Sequence, residues 1–154
     1  MPEQIGSKGQ VPAIRDDDDR DNTEQWGFQR LLGMRIAKWA ENYAEVELSI
    51  GEQHLNRSGM VHGGVLTALL DTALSLAGLY SPQSGQAPKG MTLSLSTTFV
   101  APARRGVLRA VGQCRGGGRS TFMASGEVLD ADGTLVAMGE GAFRIRGADV
   151  MAGG

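Results

Sequence analysis

The chain is short of most things that mark a specialised class of protein. It has one cysteine, Cys114, in 154 residues, so no internal disulfide framework can form and a reducing compartment suits it. Aromatic residues make up 5%, too few for a base-stacking surface. A formal net charge of −2 supplies no basic face for nucleic acid. The opening stretch MPEQIGSKGQVPAIRDDDDRD has no apolar h-region and does not read as a secretory signal. The one long apolar run, Val65 to Leu79, is interrupted by Asp71 and is too short and too polar at its centre to span a membrane. The expectation is a cytoplasmic protein with neither nucleic-acid nor membrane partners. A hydrophobic content of 41% and a charged content of 21% are ordinary for one globular domain with a real core.

Residues 1–23 mix Gly, Pro and charge and end near Asp16-Asp17-Asp18-Asp19. The acidic run lacks the glycine and spaced ligands of a calcium loop, and reads as a solvated, mobile tail. The domain is expected over 24–147, with a short tail at 148–154. Leu32 to Lys38 and Tyr43 to Ile50 read as strands, the second alternating Ala44, Val46, Leu48 and Ile50 against Glu45 and Glu47. After the turn-rich loop EQHLNRSGM comes a helix from Gly63 or Gly64 to about Tyr80, stopped by SPQSGQAPKG. Four strands follow. Met91, Leu93, Leu95, Thr97 and Phe99 are expected on one face of the first, and Asp130-Ala131-Asp132-Gly133 signals a hairpin before the last. The fold class is α+β: an antiparallel sheet of about six strands wrapped around one long central helix. Strands on one face of a helix leave an open sheet edge, which argues for an oligomer that continues the sheet.

Asp71 is the first candidate for chemistry, since a lone carboxylate in an apolar helix is costly to bury unless paired or hydrogen-bonded. At helical spacing it shares a lane with Thr67, Ser75 and Gly78, so it faces a narrow polar cleft. It either ties down a loop or marks a site. His62-Gly63-Gly64 adds a helix start where a ligand can approach the backbone and where free N–H groups suit a developing oxyanion. Asn56 could donate into the same cleft. Gly63 and Asp71 are eight residues apart, hence about 12 Å along one helix, whereas a base and an oxyanion donor must both lie roughly 3 Å from one reacting centre. If both serve one carbonyl, Gly63 comes from one subunit and Asp71 from its partner across a two-fold axis.

The run His54-Leu55-Asn56-Arg57-Ser58-Gly59-Met60-Val61-His62-Gly63-Gly64, with Asp71 seven residues beyond, resembles the signature of hotdog-fold acyl-CoA thioesterases, in particular the PaaI-like, phenylacetic acid degradation type. The resemblance in element order spans about Gly27 to Arg146. It implies a hotdog dimer, paired again into a homotetramer, that hydrolyses acyl-CoA without metal or cofactor. By position, Asp71 would be nucleophile or general base, and the Gly63 N–H would polarise the thioester carbonyl. Asn56 would hold the water or the thioester, His62 would orient the loop, and Thr92 would match a hydroxyl that assists the water.

Substrate contacts are expected at Gly64 and, for the CoA phosphates, among Lys89, Arg104, Arg105 and Arg119. Leu31, Met34, Leu66, Leu70, Leu74 and Phe99 could line an aromatic or a medium-chain acyl pocket. Cys114 lies in a strand pattern far from either histidine and reads as a small buried hydrophobe. His54, His62 and Asp71 lack a recognised metal-ligand spacing, so no metal is expected. A hotdog dehydratase is disfavoured because no HFP-like stretch precedes the helix. A non-catalytic acyl-CoA-binding module remains the alternative, although a pure binder has no need of Asp71.

Overall fold

The computed structural model describes residues 27–81 and 88–146. The tails expected at 1–23 and 148–154, and most of the SPQSGQAPKG stop, lie outside them. Within the described residues the elements are α1 (Gly27–Leu32), β1 (Met34–Ala40), β2 (Tyr43–Ser49), α2 (Gly63–Gly78), β3 (Lys89–Phe99), β4 (Val107–Gly117), β5 (Thr121–Leu129) and β6 (Leu135–Arg146), with a single 3-10 turn at Glu52–His54. All six strands pair antiparallel in one sheet of order β1-β2-β4-β5-β6-β3. No described helix is long and apolar enough to cross a membrane.

The short helix α1 was not expected from the pattern. Gly33, at φ 78, ends it in the left-handed conformation that only glycine adopts freely, and β1 therefore starts at Met34 rather than Leu32. The hairpin after β5 forms as expected: Asp130 Oδ1 accepts from the N–H groups of Asp132 and Thr134, both at 2.9 Å. β4 runs on through Gly116 to Gly117, although Arg115-Gly116-Gly117-Gly118 reads in the sequence as the turn after a strand ending at Cys114.

Helix α2 lies across one face of the sheet. Leu69, Leu70, Ala73 and Leu74 pack beneath it against Val46, Leu48, Leu108, Val128 and Phe143 in the buried core, each large side chain contributing about 2 kcal/mol of burial. The approach is close because Gly112 has no side chain: a Cβ there would stand 2.4 Å from the Ala73 carbonyl oxygen. At the far end the Trp39 Nε1–H donates to the Leu76 carbonyl at 2.8 Å. Phe99 lies beside Gly63, and Gly90 lies under Leu79, so β3 runs antiparallel to α2 along the sheet's open edge.

The simple alternation expected for β3 fails at one point. Thr92 pairs with Phe143 and Ser94 with Ala142, leaving Leu93 as the extra residue of a β-bulge. Beyond the bulge Leu95, Thr97 and Phe99 face the helix as expected. Before it, Gly90 and Thr92 do, while Met91 turns to the other face beside Arg146.

Candidate active site

Four N–H groups at the start of a helix have no partner within it. In α2, His62 is the N-cap, and its Nδ1 accepts from the Gly64 N–H at 2.8 Å. The His62 carbonyl accepts from Val65 at 2.9 Å and from Leu66 at 3.4 Å. The Gly64 and Val65 bonds, with that of the His62 N–H to the His54 carbonyl, satisfy three of the four. The Gly63 N–H has no hydrogen-bond partner among the described residues, and it points out of the positive end of a 16-residue helix. Gly64, expected to contact substrate, spends its N–H on His62.

The loop leading to this point is held firmly. The His62 N–H donates to the His54 carbonyl and the Val61 N–H to the Ala103 carbonyl, both at 2.8 Å. His54 is 1% exposed. Its Nδ1 accepts from the Gly51 N–H at 2.9 Å, so its Nε2 carries the proton and donates to the Leu32 carbonyl at 2.7 Å. This ring locks α1 to the loop, a role with no signal in the residue pattern. Asn56 Oδ1 accepts from the N–H groups of Ser58 at 2.9 Å and Met60 at 3.2 Å. Asn56 is thus a turn-forming residue, yet both bonds use its oxygen, and its Nδ2 is left over as a donor.

Asp71 sits half-buried in mid-helix. Its Oδ1 accepts from the Thr92 hydroxyl at 2.6 Å, a length typical of a hydroxyl on an ionised carboxylate. The bulge at Leu93 makes this pair possible, because an unbroken alternation back from Leu95 would put Leu93 there. In the same lane, the Thr67 hydroxyl turns back to the Gly63 carbonyl at 2.9 Å. Gly78 proves to be a packing residue: a Cβ there would fall 2.1 Å from the Phe122 ring.

A single chain therefore presents a backbone donor at one end of α2 and a carboxylate with its hydroxyl partner in the middle. The expected cations divide between the two ends of the helix. Arg104 donates to the Ser58 carbonyl at 3.1 Å, beside the Asn56 loop, with Arg105 next to it. Lys89 opens β3 at the opposite end, opposite Arg146, and Arg119 lies in the turn that leads to Thr121, across from Arg144. Met34, Leu66, Leu70 and Leu74 are sealed in the core, whereas Leu31 and Phe99 are exposed, so of the expected pocket residues only these two are free to meet a ligand in one chain. A groove of about 520 Å³ opens on the other face of the sheet, lined by Val111, Gln113, Ser125 and Glu140 among others. None of the residues above lines it.

Comparison with known proteins gives this arrangement a family. Residues 58–137, which span the Asn56–Gly63 loop's end, α2 and most of the sheet, match the model of the thioesterase superfamily. The chain belongs to that superfamily, and its sheet and helix form the hotdog fold. A conserved protein of Pseudomonas aeruginosa is 28% identical, with a TM-score of 0.73 over 81% of this chain and 99% of that one. The E. coli PaaI protein from the phenylacetic acid degradation operon is 27% identical, with a TM-score of 0.71 over 80% of this chain and 87% of that one. Human acyl-coenzyme A thioesterase 13 is 29% identical over 85 residues, 54% of this chain and 59% of that protein. Thioester hydrolysis is the class of activity that this family supports.

Proposed function

We propose that the protein is an acyl-CoA thioesterase that works as a homodimer, with Gly63 of one protomer and the partner's Asp71 facing the same thioester carbonyl. The observation that carries this reading is the uncommitted Gly63 N–H, eight residues from a carboxylate that Thr92 already holds. Within one helix they stand about 12 Å apart. The route to joining them is the free edge of β3, eleven residues long and, among the described residues, paired only with β6; unpaired strand edges invite a second chain. Since Phe99 accompanies Gly63 and Thr92 accompanies Asp71, the required pairing sets Phe99 near the partner's Thr92. Counted past the bulge at Leu93, so that helix-facing residues meet helix-facing ones, that centres the two-fold at Ser96. It also carries the partner's Lys89 towards Arg104 and Arg105, gathering cations from both helix ends near one site for the CoA phosphates, with Arg119 close to Lys89. Exposed Met123 and Met138 on the opposite sheet face suit a further pairing of dimers into a homotetramer.

In the reaction, the Gly63 N–H donates to the carbonyl oxygen as it gains negative charge. The partner's Asp71 either removes a proton from an attacking water that displaces the thiolate, or attacks the carbonyl carbon itself, expelling the thiolate and leaving a mixed anhydride that water then hydrolyses. The oxygen of water becomes part of the acid, and the CoA thiolate leaves and takes up the proton. Thr92 fixes the carboxylate, Asn56 offers Nδ2 to the carbonyl or the water, and His62 holds the helix start so that Gly63 stays free. A single half-buried cysteine makes no demand for an oxidising compartment, in keeping with a cytoplasmic enzyme.

The test is thiol release from a panel of phenylacetyl-, benzoyl- and straight-chain acyl-CoAs, with wild type beside Asp71→Asn. The expected result is turnover of at least one substrate and a loss of about 100-fold or more in the variant, with the dimer intact by light scattering. Binding of acyl-CoA without hydrolysis would favour the binding module. A monomeric wild type with full activity would sink the shared site.

A further inference from the structure

We propose that Phe99 selects the acyl group by admitting chains that are unbranched at the carbon next to the thioester carbonyl and excluding branched ones. The inference rests on Gly63 as the carbonyl's donor and gives Phe99, so far only a candidate lining residue, a selective role. Phe99 closes β3 on its helix-facing side, opposite Ala137. The tip of its ring reaches Gly63: a Cβ on that glycine would lie 3.1 Å from Cζ and 3.2 Å from Cε1. The ring is nevertheless 56% exposed, so it stands in the cleft instead of filling the core.

A carbonyl oxygen bonded to the Gly63 N–H would lie about 2.9 Å from that nitrogen. Its carbon, and the first acyl carbon beyond, then come within van der Waals reach of the ring. One hydrogen-bearing methylene or a flat aryl carbon can slide past the ring's tip. A second carbon substituent at that position meets it. Thr97 gives an independent sign that this space takes a guest. Two residues earlier on the same face, its hydroxyl is buried with no hydrogen-bond partner among the described residues. A buried hydroxyl left unpaired is costly, and water or another hydrogen-bonding group admitted beside it removes that cost.

The experiment compares isomeric substrates on the full-length protein: hexanoyl-CoA against 2-methylpentanoyl-CoA, and 3-phenylpropanoyl-CoA against 2-phenylpropanoyl-CoA. Wild type is expected to favour the unbranched member by about tenfold or more in kcat/KM, the scale on which a pocket senses one added carbon. Phe99→Ala should bring the ratio near unity, Phe99→Leu should give an intermediate value, and Phe99→Tyr should keep the preference. Melting and light scattering of each variant confirm that the fold and dimer persist. A ratio unchanged in Phe99→Ala and Phe99→Leu, or no preference in wild type, overturns the role of Phe99 and leaves the Gly63–Asp71 site standing. Wild type that releases thiol from neither pair, or Asp71→Asn as fast as wild type, overturns the site itself and this inference with it.

Discussion

Replacing Thr92 with valine tests both the site and the bulge that builds it. Valine keeps the shape and strand preference of threonine and removes only the hydroxyl that donates to Asp71 at 2.6 Å. A hydrogen bond to a charged group is worth about 1.5–3 kcal/mol. Thr92 is exposed and Asp71 half-buried, so solvent competes and lowers the value to about 1–2 kcal/mol. Removed from the transition state alone, that corresponds to a rate loss of about 5–30-fold.

Steady-state thiol release should therefore show kcat reduced by that factor, KM within about twofold of wild type, and an unchanged Tm. Thr92→Ser, which keeps the donor, should recover most of the rate. Leu93→Ala, at the bulged residue itself, should leave kcat nearly intact. Two results refute the reasoning. Full activity in Thr92→Val means that the hydroxyl does not position the carboxylate. Loss of activity in Leu93→Ala with a silent Thr92→Val means that the strand alternates without a bulge and that Leu93, not Thr92, lies against Asp71.

Two further outcomes follow from packing and charge. Gly78→Ala, which on helix propensity alone would stabilise by about 1 kcal/mol, should destabilise by about 1–3 kcal/mol in chemical denaturation. Its Cβ would fall 2.1 Å from the Phe122 ring, which is buried and stacked on Phe143 at 5.2 Å and cannot swing away. Tyr43 is pushed up from 10.0 to about 12 by burial, then by its hydrogen bond to Glu45 and by the charge of Glu45, with Arg109 opposing. Its phenol is easier to ionise in the unfolded chain, so the stability it contributes is complete below pH 10 and is lost as pH rises through 12. Denaturation of wild type beside Tyr43→Phe should show the wild type losing more stability over that interval; parallel curves would remove the phenol from the account.

The parts legible in the sequence were those governed by periodicity and by chemistry carried on one side chain. Alternation in Tyr43 to Ser49 fixed β2, the 3.6-residue spacing of Leu66, Leu69, Leu70 and Leu74 fixed α2, and Asp130 with Gly133 fixed a hairpin. Asp71 stood out because nothing else in its segment is charged. What escaped was decided by pairing across the sheet. A bulge appears only when β3 and β6 are laid side by side, so Leu93 looked like a residue of the apolar row. Gly78 looked like part of a polar lane because its neighbour Phe122 is 44 residues away in the chain. His54 could not be distinguished from a loop histidine, since both of its partners are backbone groups, one of them on α1.

The two sets of residues that lie far apart on α2 also explain why the chain divides its cap and its donor as it does. A serine or threonine cap would satisfy the helix start as well as His62 does. Like such a cap, the imidazole accepts from the second N–H of the helix, that of Gly64, and leaves the first N–H open. A side chain on Gly63 would in turn crowd Phe99, whose ring tip lies 3.1 Å from where the added Cβ would stand. Asp71 is then two helical turns further on, too far to serve that donor in its own chain and at the spacing that a second helix, antiparallel across the β3 edge, would return to it. On the proposed reading, dimerisation is a requirement of the reaction, so a substitution that blocks the β3 edge without touching Gly63 or Asp71 is as damaging to turnover as removal of the carboxylate.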